Sequence, residues 1–277
     1  MTNIVHIGVT LVQGCDIKGG EKAMEVLSQR IPLESMLSIS EELLQKEEPL
    51  YLNAIADLNR RLKKEIKQKT QNGEFPIVFG GDHAMAIGSM AANCDHDSAI
   101  LWIDAHGDCN TDETSITQRI HGMPLAVAQG YGHPELISIM DDFVLSQNVL
   151  TLGIRSLDPL EETLMRKWGV QIITLEEIRE KGIMWCIDQV QTFMDKHSKV
   201  HCSYDCDSMD PKLIPGVNTP VDLGFNQTEI LELLKVVFES KSLKSLDIVE
   251  FNPELDNGNT LNLIDQIQQL LHTSKED

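Results

Sequence analysis

No run of about 18 consecutive apolar residues occurs in the 277-residue chain, which excludes a membrane-spanning helix. The amino terminus also lacks the basic-then-apolar order of a secretory signal, so a cytoplasmic protein is expected. The six cysteines, Cys15, Cys94, Cys109, Cys186, Cys202 and Cys206, form no CxxC pair. That excludes zinc-ribbon and thioredoxin-type chemistry and leaves reduced thiols as the expectation. Basic residues are scarce: 23 Lys and Arg stand against 43 Asp and Glu, a formal charge of −20. Such a field repels phosphate backbones and anionic membranes, so neither nucleic acid nor a membrane is expected as a partner, whereas cationic substrates and metal ions suit it. Internal repeats, low-complexity segments and Ser/Gly linkers are missing as well, and one domain over residues 1–277 is expected.

What the chain does contain is alternation. Short β-branched and apolar runs at Asn3–Leu11, Pro76–Phe79, Ala99–Asp104, Asn148–Arg155, Val170–Thr174, Val200–Asp205 and Ser245–Glu250 read as strands. Ile55, Leu58, Leu62 and Ile66 form an apolar stripe at helical spacing, with Gly73 as a stop. Thr174 with Glu177, and Asn226 with Glu229, have the spacing of helix-starting caps. Strands alternating with helices predict an α/β fold, a three-layer α/β/α arrangement around a mostly parallel sheet. The longest loops, Cys109–Ile120 and Met209–Phe225, follow strand ends, where open α/β sheets build their sites.

Acidic and imidazole residues gather at those ends. Gly80-Gly81-Asp82-His83 follows one strand, and its glycines permit a sharp turn that delivers His83 to the sheet edge. Taken alone, a single histidine is more often structural. Asp104-Ala105-His106-Gly107-Asp108 closes another strand; on an extended chain Asp104 and His106 face one side, and Asp108 joins them if the loop curls back. Asp205-Cys206-Asp207 repeats that logic, with Cys206 turned away and Asp210, before Pro211, read as a turn residue or one that supports the ligands from behind. Carboxylates leaving water at a buried strand end cost several kcal/mol each unless a cation compensates them. His83, Asp104, His106, Asp108, Asp205 and Asp207 are therefore candidate metal ligands, a mixed nitrogen and oxygen set suited to Mn²⁺, Co²⁺ or Fe²⁺ rather than to structural zinc. Six ligands exceed the need of one catalytic ion that also binds water, so two ions are the economical solution. Glu250 at a further strand end suits a cationic substrate, and His121, outside the ligand set, suits proton transfer.

Together, GGDH at Gly80–His83, DAHGD at Asp104–Asp108, SYDCDSMDP at Ser203–Pro211 and VEFNP at Val249–Pro253 resemble the ureohydrolases, and within them most closely the arginases. The resemblance implies hydrolysis of L-arginine to L-ornithine and urea by a cytoplasmic enzyme holding two Mn²⁺ per chain, with Co²⁺ as the alternative, in a trimer or hexamer. It assigns His83, Asp104, Asp108 and Asp205 to one ion and Asp104, His106, Asp205 and Asp207 to the other. It makes Glu250 the partner of the guanidinium and His121 the proton shuttle; on charge grounds, Asp108 is expected to orient the nucleophile while also binding metal. Asn110, Ser115 and Thr117 then match the grip on the substrate carboxylate, Asp158 that on the α-amino group, and Thr219 a further substrate contact. Without the resemblance, Asp158 before Pro159 reads as a turn or helix-start residue. Sister enzymes acting on agmatine, other guanidino compounds or formiminoglutamate share the same ligand pattern, and a one-metal deacetylase-like hydrolase shares the architecture. The chain departs from the arginase pattern at Gly107, often Thr; at Gly216–Pro220, where Asn218 intervenes; and in the Gly14–Lys22 loop. The tail after Pro253 reads as short and polar.

Overall fold

The computed structural model describes residues 3–276, so the outermost ends of the expected 1–277 domain lie outside the described residues. Eight strands form one sheet: β1 (Ile4–Thr10), β2 (Ser35–Ser38), β3 (Phe75–Gly80), β4 (Ala99–Ile103), β5 (Val149–Ile154), β6 (Gln171–Thr174), β7 (Val200–Asp205) and β8 (Leu243–Val249). Their order across the sheet is β2-β1-β3-β8-β7-β4-β5-β6, and every pairing is parallel. The expected three layers are present, and the sheet is wholly rather than mostly parallel.

Alternation along the strands sorts side chains into two cores. Ile77 and Phe79 of β3, Leu101 and Ile103 of β4, and Leu246 and Ile248 of β8 face one side, against the helices Ile183–Lys196, Gln227–Glu239 and Asn259–Glu276. Val78, Ile100 and Trp102 face the other, against the helices Leu52–Gln71 and Ala86–Asn93. Ile55, Leu58, Leu62 and Ile66 are all fully buried there, as their spacing predicts, each stabilising the fold by about 2 kcal/mol. The helix stops at Asn72, before Gly73 turns with φ +78°. Thr174 accepts from the Glu177 N–H, and Asn226 and Glu229 close a reciprocal cap, as their spacing also predicts.

Two readings need correction. The strand β2 gave no signal, because four residues on an edge, half-buried in alternation, carry too little apolar content to register. The tail after Pro253 is not simply polar: its helix buries Leu263, Ile264, Ile267 and Leu271, with 3–4-residue spacing hidden among Asn and Gln.

Between the two cores, the face of β7 and β8 that meets the helix Ala86–Asn93 is polar. Asp247 accepts a hydrogen bond from Ser89 Oγ at 2.7 Å and lies 3.1 Å from His201 Nε2, while His201 Nδ1 meets Ser245 Oγ at 2.7 Å. A buried carboxylate requires such partners, and the group sits on β7 and β8, the two central strands of the sheet.

Candidate metal centre and active-site cleft

Five adjacent strands deliver the candidate residues. Reading across the sheet, β3 presents His83, β8 Glu250, β7 Asp205 and Asp207, β4 Asp104, His106 and Asp108, and β5 Asp158. All project from carboxyl ends, so residues scattered over the sequence meet at one edge.

The turn after β3 is forced by Gly81. A Cβ there would lie 1.8 Å from the Leu11 carbonyl oxygen, so no other residue fits without moving backbone. Asp82 then caps the turn, accepting from Ala84 N at 2.9 Å and from Gly14 N at 2.7 Å. Burial and the neighbouring charge of Glu250 push its carboxyl up to about 6. His83 is thereby fully buried, its ring stacked on Trp102 with centroids 4.0 Å apart and planes 7° from parallel. Its Nε2 meets Ser203 Oγ at 2.8 Å, which fixes the ring and turns Nδ1 toward the acids.

Three carboxylates converge on that nitrogen: Asp104 Oδ2 at 3.2 Å, Asp108 Oδ2 at 3.0 Å and Asp205 Oδ2 at 3.0 Å. His106 Nδ1 lies 3.0 Å from Asp207 Oδ2 and 3.5 Å from the other oxygen of Asp104. Two compact ligand triads result, His83–Asp104–Asp108 and Asp104–His106–Asp207, and Asp104 belongs to both. Asp205 reaches the first through His83.

Alternation does not explain these pairs, contrary to the expectation for Asp104 with His106 and Asp205 with Asp207. Strand β4 ends at Ile103, and Cys206–Ser208 is a 3₁₀ turn. Each pair is folded locally instead: Asp104 Oδ1 accepts from His106 N, and Asp205 Oδ1 from Asp207 N, both at 2.7 Å. Cys206 does point away, into the core, and Asp210 does serve a turn by accepting from Lys212 N. Asp108 joins because its loop curls back with φ +46°, a left-handed conformation unusual for a residue with a side chain.

Charge shows why the cluster wants cations. Burial, then the charges of Asp207 and Asp104, drive Asp205 well above the usual carboxylate range. Burial and the charge of Asp104 raise Asp108 to about 6. For Asp104 burial opposes ionisation, but hydrogen bonds and charge from His106 and His83 outweigh it and hold the group below its usual range. Four buried carboxylates, the buried His83 and the partly exposed His106 are thus held together, with His83 Nδ1 buried and lacking a hydrogen-bond partner among the described residues. A buried ring nitrogen facing three carboxylate oxygens calls for a positive charge between them, which a divalent cation supplies and, in metal-free protein, a proton on the ring.

A cleft of about 150 Å³ opens beside this centre, lined by His106, Asp108 and His121 at the acid and imidazole side. Asn110, Ser115, Thr117, Asp158 and Thr219 also line it, so every predicted substrate-binding residue except Glu250 faces it. Asn110 Nδ2 donates to Asp158 Oδ2 at 3.2 Å, joining two of them, while Thr219 donates to Asp207 at 2.8 Å. Glu250 is 99 % shielded and sits beneath His121, its Oε1 3.3 Å from Nδ1. It also accepts from His83 N at 2.9 Å. Burial opposes the positive charge on His121, yet its bond to Glu250 prevails and raises the imidazole above its ordinary value.

Sequence reasoning missed four residues here. Trp102 stacks on His83 and donates from Nε1 to Asp104 Oδ2 at 2.9 Å; its position two before Asp104 on β4 was the available signal. Asn218 donates to Glu250 Oε2 at 2.6 Å, which explains what stands in the departing Gly216–Pro220 segment. Glu161, 4 % exposed and pushed up to about 7 mainly by burial, accepts from Cys109 N at 2.9 Å and Asp158 N at 3.2 Å. It also accounts for Gly107, whose added Cβ would meet Leu157 at 2.6 Å and Glu161 at 2.9 Å. Arg155 donates to the backbone oxygens of Asp207 (2.7 Å), Met209 (3.1 Å), Val221 (3.1 Å), Ser208 (3.3 Å) and Gly153 (3.3 Å), clamping the ligand turn to the segment after Thr219.

A three-layer parallel sheet carrying two carboxylate–imidazole triads that share Asp104, at the mouth of a polar cleft, defines a metal-dependent hydrolase. Residues 19–272 match the model of the Arginase family, and the chain belongs to that family. It is 38 % identical over 213 residues to an arginase of Bacillus caldovelox, covering 75 % of this chain and 71 % of that one. An arginase of Brevibacillus brevis is 33 % identical over 276 residues, 93 % of each chain. The crystal structure of Entamoeba histolytica arginase in complex with L-ornithine superposes with a TM-score of 0.89 at 27 % identity, covering 98 % of this chain and 99 % of that one.

Proposed function

We propose that this protein is a single catalytic unit that hydrolyses L-arginine to L-ornithine and urea, using two Mn²⁺ ions per chain. The observation that carries the reading is Asp104, whose two oxygens face His83 and His106 separately and so suit a carboxylate bridging two cations. The ion pair would be held by His83, Asp104, Asp108 and Asp205 on one side and by Asp104, His106, Asp205 and Asp207 on the other. When bound, the cations supply Lewis acidity and an activated water at neutral pH.

The chain's own side chains supply the rest. Glu250, held ionised against its burial by His121 and Asn218, offers a negative charge to the planar cation of a guanidinium. Asp108 orients the nucleophile, and His121, raised by Glu250, delivers a proton to the departing amine. Asp158 accepts the α-amino group, Asn110, Ser115 and Thr117 receive the carboxylate, and Thr219 keeps Asp207 in line. The charge of −20 favours gathering a cationic amino acid over nucleic acid or an anionic membrane, and no helix among the described residues is long and apolar enough to cross a membrane. Cytoplasmic location and a trimer or hexamer complete the reading, by likeness to the family.

Metal-stripped protein reloaded with Mn²⁺ or Co²⁺ should release urea from L-arginine, faster than from agmatine. Preference for agmatine would overturn the substrate while sparing the metal centre.

A further inference from the structure

The chain has seven arginines. Arg30, Arg60, Arg61, Arg166 and Arg179 each hold a carboxylate, and Arg155 grips backbone oxygens. Arg119 differs: among the described residues its guanidinium makes no hydrogen bond and no ion pair, although acids outnumber basic residues 43 to 23. It lines the cleft beside the metal centre, on the same loop as Ser115 and Thr117.

The backbone beneath it is fixed. Gln118 turns with φ +56°, its amide donates to Asp112 O at 2.7 Å and Ser115 O at 2.8 Å, and its carbonyl accepts from Leu50 N at 2.9 Å. Thr117 Oγ1 accepts from Arg119 N at 3.4 Å. A rigid loop therefore presents an uncommitted guanidinium to a cleft whose other titratable groups are the acids Asp108, Asp158 and Glu161 and the imidazoles of His106 and His121. An anionic group entering that cleft meets hydroxyls, amides, carboxylates and the imidazoles of His106 and His121, which sit at the candidate metal centre; on the loop side, Arg119 is the cleft's permanent cation. A guanidinium and a carboxylate match in a planar, two-pronged pairing that a hydroxyl cannot offer. Left unpaired, the same charge repels a cationic ligand that lacks a carboxylate.

We propose that Arg119 is a specificity-determining residue, which binds the substrate carboxylate directly and selects amino acids bearing a distal guanidinium over decarboxylated or amidated analogues. The inference rests on the L-arginine reading above and deepens it by adding a residue that the loop's polar side chains do not replace.

The test compares L-arginine with L-argininamide, which keeps the shape and loses the negative charge, on Mn²⁺-loaded protein whose metal content is measured. In Arg119→Gln the ratio of kcat/KM for L-arginine to that for L-argininamide should fall at least about tenfold, through KM for L-arginine, and Arg119→Lys should restore part of it. By calorimetry, L-ornithine should bind more weakly to Arg119→Gln, while putrescine should show no such loss. In the unmodified protein, added salt should raise KM for L-arginine more than KM for L-argininamide, a readout independent of any variant. A ratio within about twofold of the unmodified protein, or equal salt dependence for the two substrates, overturns the proposal. Absence of urea release from L-arginine by the unmodified loaded protein instead overturns the underlying activity.

Discussion

Asp104 is fully buried and receives hydrogen bonds from Trp102 Nε1 at 2.9 Å and His106 N at 2.7 Å, so its plane is set before any ion arrives. Replacing it by Asn keeps the volume but removes the charge common to both triads. Asp104→Asn should lose both ions together, by elemental analysis, and lower kcat by more than about a thousandfold. Retention of two ions with near-normal turnover would contradict the sharing role. At Asn218 the change is milder: Asn218→Ala frees Glu250 Oε2 from its 2.6 Å donor, one of three that hold the carboxylate. Urea release should fall about tenfold with metal content unchanged, whereas loss of metal would place Asn218 in the ligand framework instead.

Elements matter because the candidate ligands sit at or just beyond the ends of strands, Asp205 as the last residue of β7 and the others after it or after β3 and β4. Apolar runs and helix-cap spacings made seven of the eight strands legible, since a buried parallel strand is written as a continuous apolar segment. Cluster positions were legible too, as acids and histidines directly after those runs. The geometry was not: strand alternation predicts that Asp104 and His106 share a face, whereas side-chain caps bring them together. Such caps depend on where a strand stops, and a one-residue boundary is the least visible feature of a sequence. Contacts made across the chain, such as Asn218 with Glu250 or Arg155 with the 205–209 turn, leave no local periodicity to read. Arg155 carries its own prediction. Arg155→Lys loses the planar fork that reaches five carbonyls, so metal affinity should fall about 10–100-fold in a Mn²⁺ titration. Unchanged affinity would mean that the turn holds its shape unaided.

For the molecule as a whole, a nest of buried acids is a liability without its ions. Glu161, raised to about 7 chiefly by burial, binds its proton more tightly folded than unfolded, where a glutamate titrates near 4.3. His83 and His106, raised because carboxylates outweigh burial, and His121, raised by Glu250 against burial, do the same from an unfolded value near 6.5. Each contribution is present at low pH and is lost as pH rises through the folded value. His6 and His197, lowered by burial, work the other way, but only below about 6.5. Metal-free protein should therefore show a Tm that falls from pH 6.5 to 8.5, while Mn²⁺-loaded protein holds or gains, because ions displace those protons. A metal-free Tm that is flat or rising over that window would mean the cluster is not held as described.

The most direct measurement is the number of ions per chain in stripped and reloaded protein, determined together with urea release from L-arginine. Two Mn²⁺ per chain, with urea appearing only in the loaded form, is the expected result. One ion or none at full loading, or turnover that survives stripping, would contradict a centre built on two triads joined by Asp104.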